Sequence, residues 1–165
     1  MSNDLSELRN LATVIVDTSW LTPHQLRDKV VRIARGREDT SQLVVQLQSF
    51  GFRYGIPPGS DLVMDVRFLP NPHFVDELRA HNGLERSVSD YVLGQPACRD
   101  FLRHYQEMMA FLLPHYQREG KSYLTIGVGC TGGRHRSVAV ANELTKRLER
   151  EGRRINLIHR DIHAK

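Results

Sequence analysis

Apolar residues recur along the chain with two spacings, one typical of β-strands and one typical of α-helices. Short apolar runs predict strands at 13–17, 43–50, 62–68, 123–128 and 155–158. Apolar residues three or four positions apart predict helices at 5–11, 22–35, 97–118 and 134–150. Because strands alternate with helices, we predict an α/β domain with a mixed, mainly parallel sheet that is flanked by helices.

The longest predicted helix, 97–118, carries an apolar stripe that should face the core. The stripe is predicted at Phe101, Tyr105, Met108, Leu112 and Tyr116. Pro114 should kink this helix or end its regular part, because proline cannot donate the helical hydrogen bond.

The size and composition of the chain limit the class of protein. A chain of 165 residues, 40% of them hydrophobic, suits one ordinary domain, or one domain and a fragment of another. No stretch approaches the roughly 20 apolar residues of a membrane span, and the first residues lack the features of a signal peptide. We therefore predict a cytoplasmic protein without a membrane segment. Cys98 and Cys130 are the only cysteines, and we interpret both as free thiols.

The charge of the chain is moderately basic. A formal net charge of +4 is compatible with anionic partners such as RNA or phosphorylated metabolites. It is also compatible with a well-solvated surface, so charge alone does not select a function.

The segment 129–137 is the strongest chemical signal in the sequence, because it joins a predicted buried strand to a predicted helix. Ligands of α/β proteins bind beyond the carboxyl ends of strands, where the unpaired amides of a helix N-terminus attract anions. Glycines let the backbone approach a phosphate closely, arginines add charge, and hydroxyls add donors. We therefore predict a phosphate-binding loop between a strand and a helix. Its candidate residues are Cys130, Thr131, Gly132, Gly133, Arg134, His135, Arg136 and Ser137. The alternative is an ordinary glycine-rich turn with surface arginines.

The spacing of Cys130 and Arg136 also resembles the Cys-x5-Arg signature of cysteine-dependent phosphatases. In such enzymes a thiolate attacks phosphorus, and the helix N-terminus together with the arginine favours that thiolate. This sequence departs from the pattern, because Gly129 stands where that family has a histidine. No general acid can be assigned either, although Asp61 and Asp65 are candidates. A small packing residue is the more frequent role for such a cysteine.

A second cluster of polar residues follows the predicted strand 62–68. Asp65 and Arg67 should point in the same direction, and the prolines at 70 and 72 stiffen the loop that carries His73. In a parallel sheet this cluster could face the loop 129–137, where Asp65 would accept sugar hydroxyls and His73 would contact phosphate. The alternative is an Asp65–Arg67 salt bridge with a structural His73.

Several long motifs resemble one family. The segments 50–57, 65–73 and 129–137 and the tail 159–162 resemble, in this order, the C-terminal domain of the RapZ/YvcJ family. The resemblance covers about residues 42–165. It implies that 40–165 is this ligand-binding domain, and that 1–39 is the end of an N-terminal P-loop domain plus a linker. The ATP or GTP hydrolysis of full-length relatives should not be transferred to this chain.

The resemblance also implies a function. It implies a non-catalytic sensor of a phosphorylated amino sugar or nucleotide sugar, namely glucosamine-6-phosphate or UDP-N-acetylglucosamine, without a cofactor or metal. Carried over to this sequence, the site consists of Asp65, Arg67, His73, Cys130, Thr131, Gly132, Gly133, Arg134, His135, Arg136 and Ser137.

A role as an RNase adapter is the second implication of the resemblance. It would involve a small RNA, an endoribonuclease and a homo-oligomer. The candidate RNA-binding residues are Arg153, Arg154, His159, Arg160 and Lys165. The tail here is less basic than in the RapZ branch and fits the YvcJ branch better.

Overall fold

The computed structural model describes Val16, Thr18 and residues 21–34, 43–119 and 121–164. The chain divides into two compact units, residues 1–39 and 40–165. In the first unit, helix α1 spans Pro23–Ala34, close to the predicted helix 22–35. A proline suits the first helical position because its missing N–H has no intrahelical partner there. The predicted helix 5–11 lies outside the described residues, and so does the predicted strand 13–17 apart from Val16.

The second unit contains a four-stranded sheet. Its strands are β1 (Val44–Gly51), β2 (Leu62–Asp65), β3 (Tyr123–Cys130) and β4 (Arg154–His159). Their spatial order is β2-β3-β1-β4, and each neighbouring pair is parallel. The predicted α/β class is therefore confirmed, with a described sheet that is parallel throughout.

Strand β2 ends three residues before the predicted end of the strand 62–68. The carboxylate of Asp65 accepts a hydrogen bond from the backbone N–H of Arg67 at 2.9 Å, which forms a tight turn. Beyond this turn Val66 and Leu69 enter the core, and each is at most 2% exposed. The alternation of side chains that predicts a longer strand therefore stops at Asp65.

Four α-helices accompany the sheet in the described part of this unit. They are α2 (Asp76–Arg79), α3 (Arg86–Leu93), α4 (Pro96–Arg118) and α5 (Arg136–Arg150). The apolar pattern predicts α4 and α5 but misses α2 and α3. Pro114 lies inside α4, which continues to Arg118. None of the described helices is both long and apolar enough to cross a membrane.

The buried face of α4 differs from the predicted stripe, in which only Tyr105 is correct. The buried residues of α4 are Cys98, Leu102, Tyr105, Met109 and Leu113. Met108 is 38% exposed, and three further members of the predicted stripe are only partly buried at the edge of the core. Apolar residues occupy two adjacent faces of this helix, and periodicity alone does not decide which of them packs inward.

Candidate functional site

Three strands of the sheet end at the same edge. The last residue of β1, Gly51, is in register with Cys130 at the end of β3. The last residue of β2, Asp65, is in register with Gly129. The loops that follow these strands therefore meet beside the N-terminus of α5, where parallel α/β proteins bind ligands.

The loops enclose a cavity of about 340 Å³. It is lined by Arg53, Tyr54, Asn71, His73, Arg79, Cys130, Thr131, Gly132, Arg134, His135, Arg136 and Ala164. Six of these residues are arginine or histidine, and none is aspartate or glutamate. A concave surface lined by one sign of charge concentrates ions of the opposite sign, so the cavity favours anions.

Two glycines bring the loop after β3 onto the end of β1. Gly133 has a φ of 74°, and a Cβ placed on it would lie 2.5 Å from the backbone nitrogen of Gly51. A Cβ on Gly51 would lie 2.6 Å from the carbonyl carbon of Gly132. Side chains at 51 and 133 would therefore push the two loops apart.

Arg136 holds the loops together from inside. Its side chain is 4% exposed, and Nη1 donates to the backbone carbonyls of Arg67 and Leu69, each at 2.9 Å. Nη2 donates to Oγ1 of Thr131 at 3.1 Å. Its Nε is buried and has no hydrogen-bond partner in the described part of the chain. Arg136, which the sequence predicts to bind phosphate, therefore hydrogen-bonds to the loops around the cavity.

His135 is a buried imidazole at the wall of the cavity. It is 9% exposed, and its Nε2 has no partner among the described residues. Its ring centroid lies 6.5 Å from that of His73. Burial lowers the pKa of His135, and the charges of Arg134 and His73 lower it further, against backbone hydrogen bonding at residues 79 and 81. The surroundings of the ring therefore disfavour its protonated form.

The remaining arginines of the cavity differ in how firmly they are held. Arg134 donates from Nη2 to the carbonyl of Ala80. Arg79 pairs with Asp76 at 2.8 Å and donates from Nε to the carbonyl of His73 at 2.9 Å. Arg53 is exposed and forms no ion pair within the described ranges. Arg53 is therefore the most available cation of the cavity.

Cys130 is 3% exposed, and its Sγ lies 3.1 Å from Oγ of Ser137. Gly129, next to Cys130, stands where the phosphatase pattern has a histidine, and the structure has no room for a side chain there. A Cβ on Gly129 would lie 2.5 Å from ring atoms of both Phe50 and Phe52. These rings fill the space that a side chain at 129 would need.

Neither candidate general acid lies free beside Cys130. Asp61 precedes β2 and therefore lies at the opposite edge of the sheet, bonded to Lys121 at 2.6 Å and to the N–H of Thr125 at 2.8 Å. Asp65 lies at the correct edge, but its carboxylate is bound by Arg67.

Asp65 and Arg67 form a salt bridge at 2.6 Å, as in the structural alternative for this pair. The hydrogen bond from Arg67 lowers the pKa of Asp65. The guanidinium of Arg67 also lies over the ring of Phe52, 4.3 Å from its centroid. Neither residue lines the cavity.

Seven of the predicted site residues do line the cavity. They are His73, Cys130, Thr131, Gly132, Arg134, His135 and Arg136. Gly133 and Ser137 are buried and shape it from outside the lining. The structure thus brings the phosphate-binding loop and His73 together in the lining, whereas Asp65 and Arg67 are not part of it.

The sequence analysis missed five lining residues: Arg53, Tyr54, Asn71, Arg79 and Ala164. Arg53 and Tyr54 follow the end of β1, so the rule that places ligands beyond strand ends could have found them. Asn71 accepts a hydrogen bond from the N–H of His73 at 3.3 Å, which is typical of an asparagine at a turn. No sequence signal marks Arg79.

The residues predicted to bind RNA do not form one free surface. Nδ1 of His159 is bonded to Oγ of Ser49 at 2.8 Å, and burial lowers the pKa of His159. Arg160 donates to the carbonyl of Gly55 and to the carboxylate of Asp161, each at 2.7 Å. Asp161 in turn accepts from the N–H of Gly51 at 2.7 Å.

Two of the three other candidates remain accessible. Arg154 is exposed and Arg153 is partly exposed, while Lys165 lies outside the described residues.

Known proteins identify the family of this chain. The family model for the RapZ C-terminal domain matches residues 43–163. A nucleotide-binding protein of Syntrophotalea carbinolica is 57% identical over 158 residues, which are 96% of this chain and 55% of that protein. A nucleotide-binding protein of Citrifermentans bemidjiense is 51% identical over 160 residues, 97% of this chain and 56% of that protein. A nucleotide-binding protein of Geobacter sulfurreducens is 54% identical over 157 residues, which are 95% of this chain and 55% of that protein.

The chain spans about half the length of the curated relatives it matches. The match to the family model covers most of the chain and includes every strand of the sheet and the whole lining of the cavity apart from Ala164. The match ends at His163, next to Ala164. The resemblance seen in the sequence is thereby confirmed, and the chain belongs to the RapZ C-terminal domain family.

Proposed function

We propose that residues 40–165 bind a phosphorylated amino sugar or a nucleotide sugar in the cavity and act as a non-catalytic sensor of it. The observation that carries this proposal is the lining of the cavity, which has six basic side chains and no carboxylate. The cavity lies beside the N-terminus of α5, where unpaired amides and the helix dipole also favour an anion.

Each part of the lining has a place in this proposal. Arg53 and Arg134 supply guanidinium groups that bind phosphate oxygens through paired hydrogen bonds. Gly132 lets the ligand approach the backbone closely, and a Cβ there would meet no atom within 4 Å. Tyr54 and Asn71 supply polar groups for the sugar or the nucleoside. Cys130 contributes a wall of the cavity.

The names of the relatives agree with a ligand of the nucleotide type. The proteins of Syntrophotalea carbinolica and Citrifermentans bemidjiense are both called nucleotide-binding proteins. Those names describe chains of which this one matches 55% and 56%. The nucleotide sugar is therefore the first ligand to test, and the sugar monophosphate is the second.

A cysteine phosphatase receives no support from the geometry. Cys130 is buried against Ser137, Arg136 is bonded to backbone carbonyls, and the space beside Gly129 is filled. RNA binding is also not the better proposal, because His159 and Arg160 are bonded within the domain. A small RNA, an endoribonuclease partner, self-association and the origin of residues 1–39 stay predictions from the resemblance.

The experiment is calorimetric titration of the full chain with UDP-N-acetylglucosamine, glucosamine-6-phosphate and inorganic phosphate, together with thermal unfolding. A ligand that binds only the folded state raises the free energy of unfolding by about 2.7 kcal/mol at 100 times its Kd. Arg53→Ala should abolish most of this binding. Arg150→Ala should not, because Arg150 is exposed at the other end of α5. Absence of binding by all three ligands would refute the proposal.

A further inference from the structure

We propose that an anion enters this cavity together with a proton, which His135 takes up. This inference rests on the proposed function, because it concerns an anionic ligand in the same cavity. It makes ligand occupancy dependent on pH within the range in which histidines titrate.

The first observation is the unpaired nitrogen of His135. The side chain lines the cavity and is 9% exposed, and its Nε2 has no partner in the described structure. Buried side-chain nitrogens are normally hydrogen-bonded, so an unpaired one at a cavity wall points to a group that the ligand supplies. Backbone groups at residues 79 and 81 accept a hydrogen bond from the ring, so the single proton of the neutral imidazole lies on the other nitrogen and Nε2 carries a lone pair. A phosphate or sulfate oxygen only accepts, so it can bond to Nε2 only when the ring is protonated.

The second observation is the charge around this ring. The titratable and charged side chains that line the same cavity come from every element beside it: Arg53 and Tyr54 after β1, His73 in the turn Pro72–Phe74, Arg79 of α2, Cys130 of β3, and Arg134 and Arg136 of the β3–α5 segment. The arginines are permanently positive, and the lining itself contains no carboxylate. Beside the lining, Asp76 is paired with Arg79, and Glu85 is paired with His81. The surplus of positive charge in the lining disfavours a proton on His135.

A bound dianion reverses this balance. It places negative charge within the ring of arginines, and an opposite charge favours the protonated imidazole. The pKa of His135, which burial and Arg134 lower, should rise when the anion binds. Linkage is reciprocal, so a proton that binds more tightly with the anion present makes the anion bind more tightly at lower pH.

The test uses sulfate, because sulfate remains a dianion between about pH 6 and pH 8, whereas a phosphate monoester titrates near pH 6. The full chain is titrated with sulfate at constant ionic strength across this range. Calorimetry in two buffers with different heats of ionisation measures the protons taken up. We expect uptake of a proton and an affinity that tightens by up to about tenfold for each unit of falling pH.

Two variants assign the proton. His135→Gln should still bind sulfate but should lose both the proton uptake and the pH dependence. His104→Gln, at an exposed histidine of α4 outside the cavity, should keep both. Retention of the proton uptake and the pH dependence in His135→Gln would overturn the inference.

The outcomes also separate this inference from the proposed function. Sulfate or sugar-phosphate binding with no proton uptake and a flat pH response would overturn the inference and leave the proposed function intact. Absence of binding by sulfate, phosphate and both sugar ligands at every pH would overturn both. If His135→Gln does not fold, the wild-type ring resonances of His135 decide, since sulfate should move their titration midpoint to higher pH.

Discussion

Nη1 of Arg136 lies 2.9 Å from the backbone carbonyl oxygen of Leu69, and this bond joins the first residue of α5 to the loop after β2. The same nitrogen donates to the carbonyl of Arg67 at 2.9 Å. One buried side chain thus fixes the distance between two loops that line the cavity.

We expect Arg136→Ala to lower the free energy of unfolding by about 2–4 kcal/mol. It would leave two carbonyls without their donor and would remove a packed side chain, and an unsatisfied buried group costs about 1–3 kcal/mol. Urea unfolding followed by circular dichroism measures the change. Arg150→Ala, at the exposed end of the same helix, should change stability by less than about 0.5 kcal/mol. Equal stability of both variants would show that Arg136 does not hold the loops.

This result changes how a mutation of the predicted phosphate-binding arginine is interpreted. Loss of ligand binding in Arg136→Ala would follow from altered loops as well as from a lost phosphate contact. Arg53 is the better probe of ligand contact, because its side chain is exposed and forms no ion pair in the described ranges.

Three glycines, two in the loop after β3 and one after α5, differ in backbone conformation and in the space around them. Gly133 combines a φ of 74° with the close approach of Gly51, whereas Gly152 has a φ of 76° with no atom within 4 Å of its Cβ position. Gly132 has neither constraint. We expect Gly133→Ala to destabilise the domain by roughly 3 kcal/mol or more and Gly152→Ala by about 1 kcal/mol.

Gly132→Ala should leave the free energy of unfolding unchanged within about 0.5 kcal/mol and weaken ligand binding, because it places a methyl group on the lining of the cavity. Thermal or urea unfolding gives the three stabilities, and calorimetric titration gives the affinity. If Gly133→Ala were no worse than Gly152→Ala, the close contact with Gly51 would not exist in solution.

Much of the site could be predicted because its signals are local. The apolar run of β3, the glycines at 132 and 133 and the apolar stripe of α5 are consecutive in the sequence, so their order alone indicates an anion-binding loop. The sequence also predicts His73 in the site, because parallel strands end at one edge of the sheet. These inferences need no knowledge of packing.

The errors have the opposite origin. Helix α2 has four residues and α3 has eight, and helices of this length depend on tertiary contacts rather than on their own sequence. Arg79 reaches the cavity only because α2 forms there. The shared edge of parallel strands places Asp65 near the site and leaves a salt bridge with Arg67 as the alternative, and the structure has that salt bridge, next to a turn that the pattern does not show.

The hydroxyl of Tyr105 gives a test of the core. Tyr105 is 2% exposed, and its Oη has no hydrogen-bond partner in the part of the chain that the structure describes. Burial raises the pKa of Tyr105, as expected for a phenol in an apolar surrounding. Its ring stacks on Phe101 with a centroid distance of 5.6 Å, and phenylalanine would keep this contact.

We therefore expect Tyr105→Phe to leave stability unchanged or to raise it by about 1 kcal/mol, since it removes a buried polar group that is not bonded. Urea unfolding measures the effect, and Tyr116→Phe, at a partly buried position of the same helix, is the matched control. A loss of more than about 1 kcal/mol in Tyr105→Phe would mean that the hydroxyl is bonded in solution, for example to an internal water.

The two buried histidines predict how stability depends on pH. Burial is the main cause that lowers the pKa of His135 and of His159 from the ordinary value of 6.5. Above that value both rings are neutral in the folded and unfolded chain, so they contribute no pH dependence. Below it the unfolded chain binds protons that the folded chain excludes, and the free energy of unfolding falls as pH falls. The loss is complete below the folded pKa of each ring.

We expect the domain to be less stable at about pH 5.5 than at about pH 7.5, by at most about 1.4 kcal/mol for each histidine and pH unit. Urea unfolding at several pH values, in buffers without phosphate or sulfate, measures this slope. His135→Gln and His159→Asn should each flatten it, whereas His163→Asn, at an exposed position, should not. Added sulfate should reduce the slope, because the proposed anion makes protonated His135 favourable in the folded state. A wild-type domain that is equally stable at both pH values would show that neither ring excludes its proton.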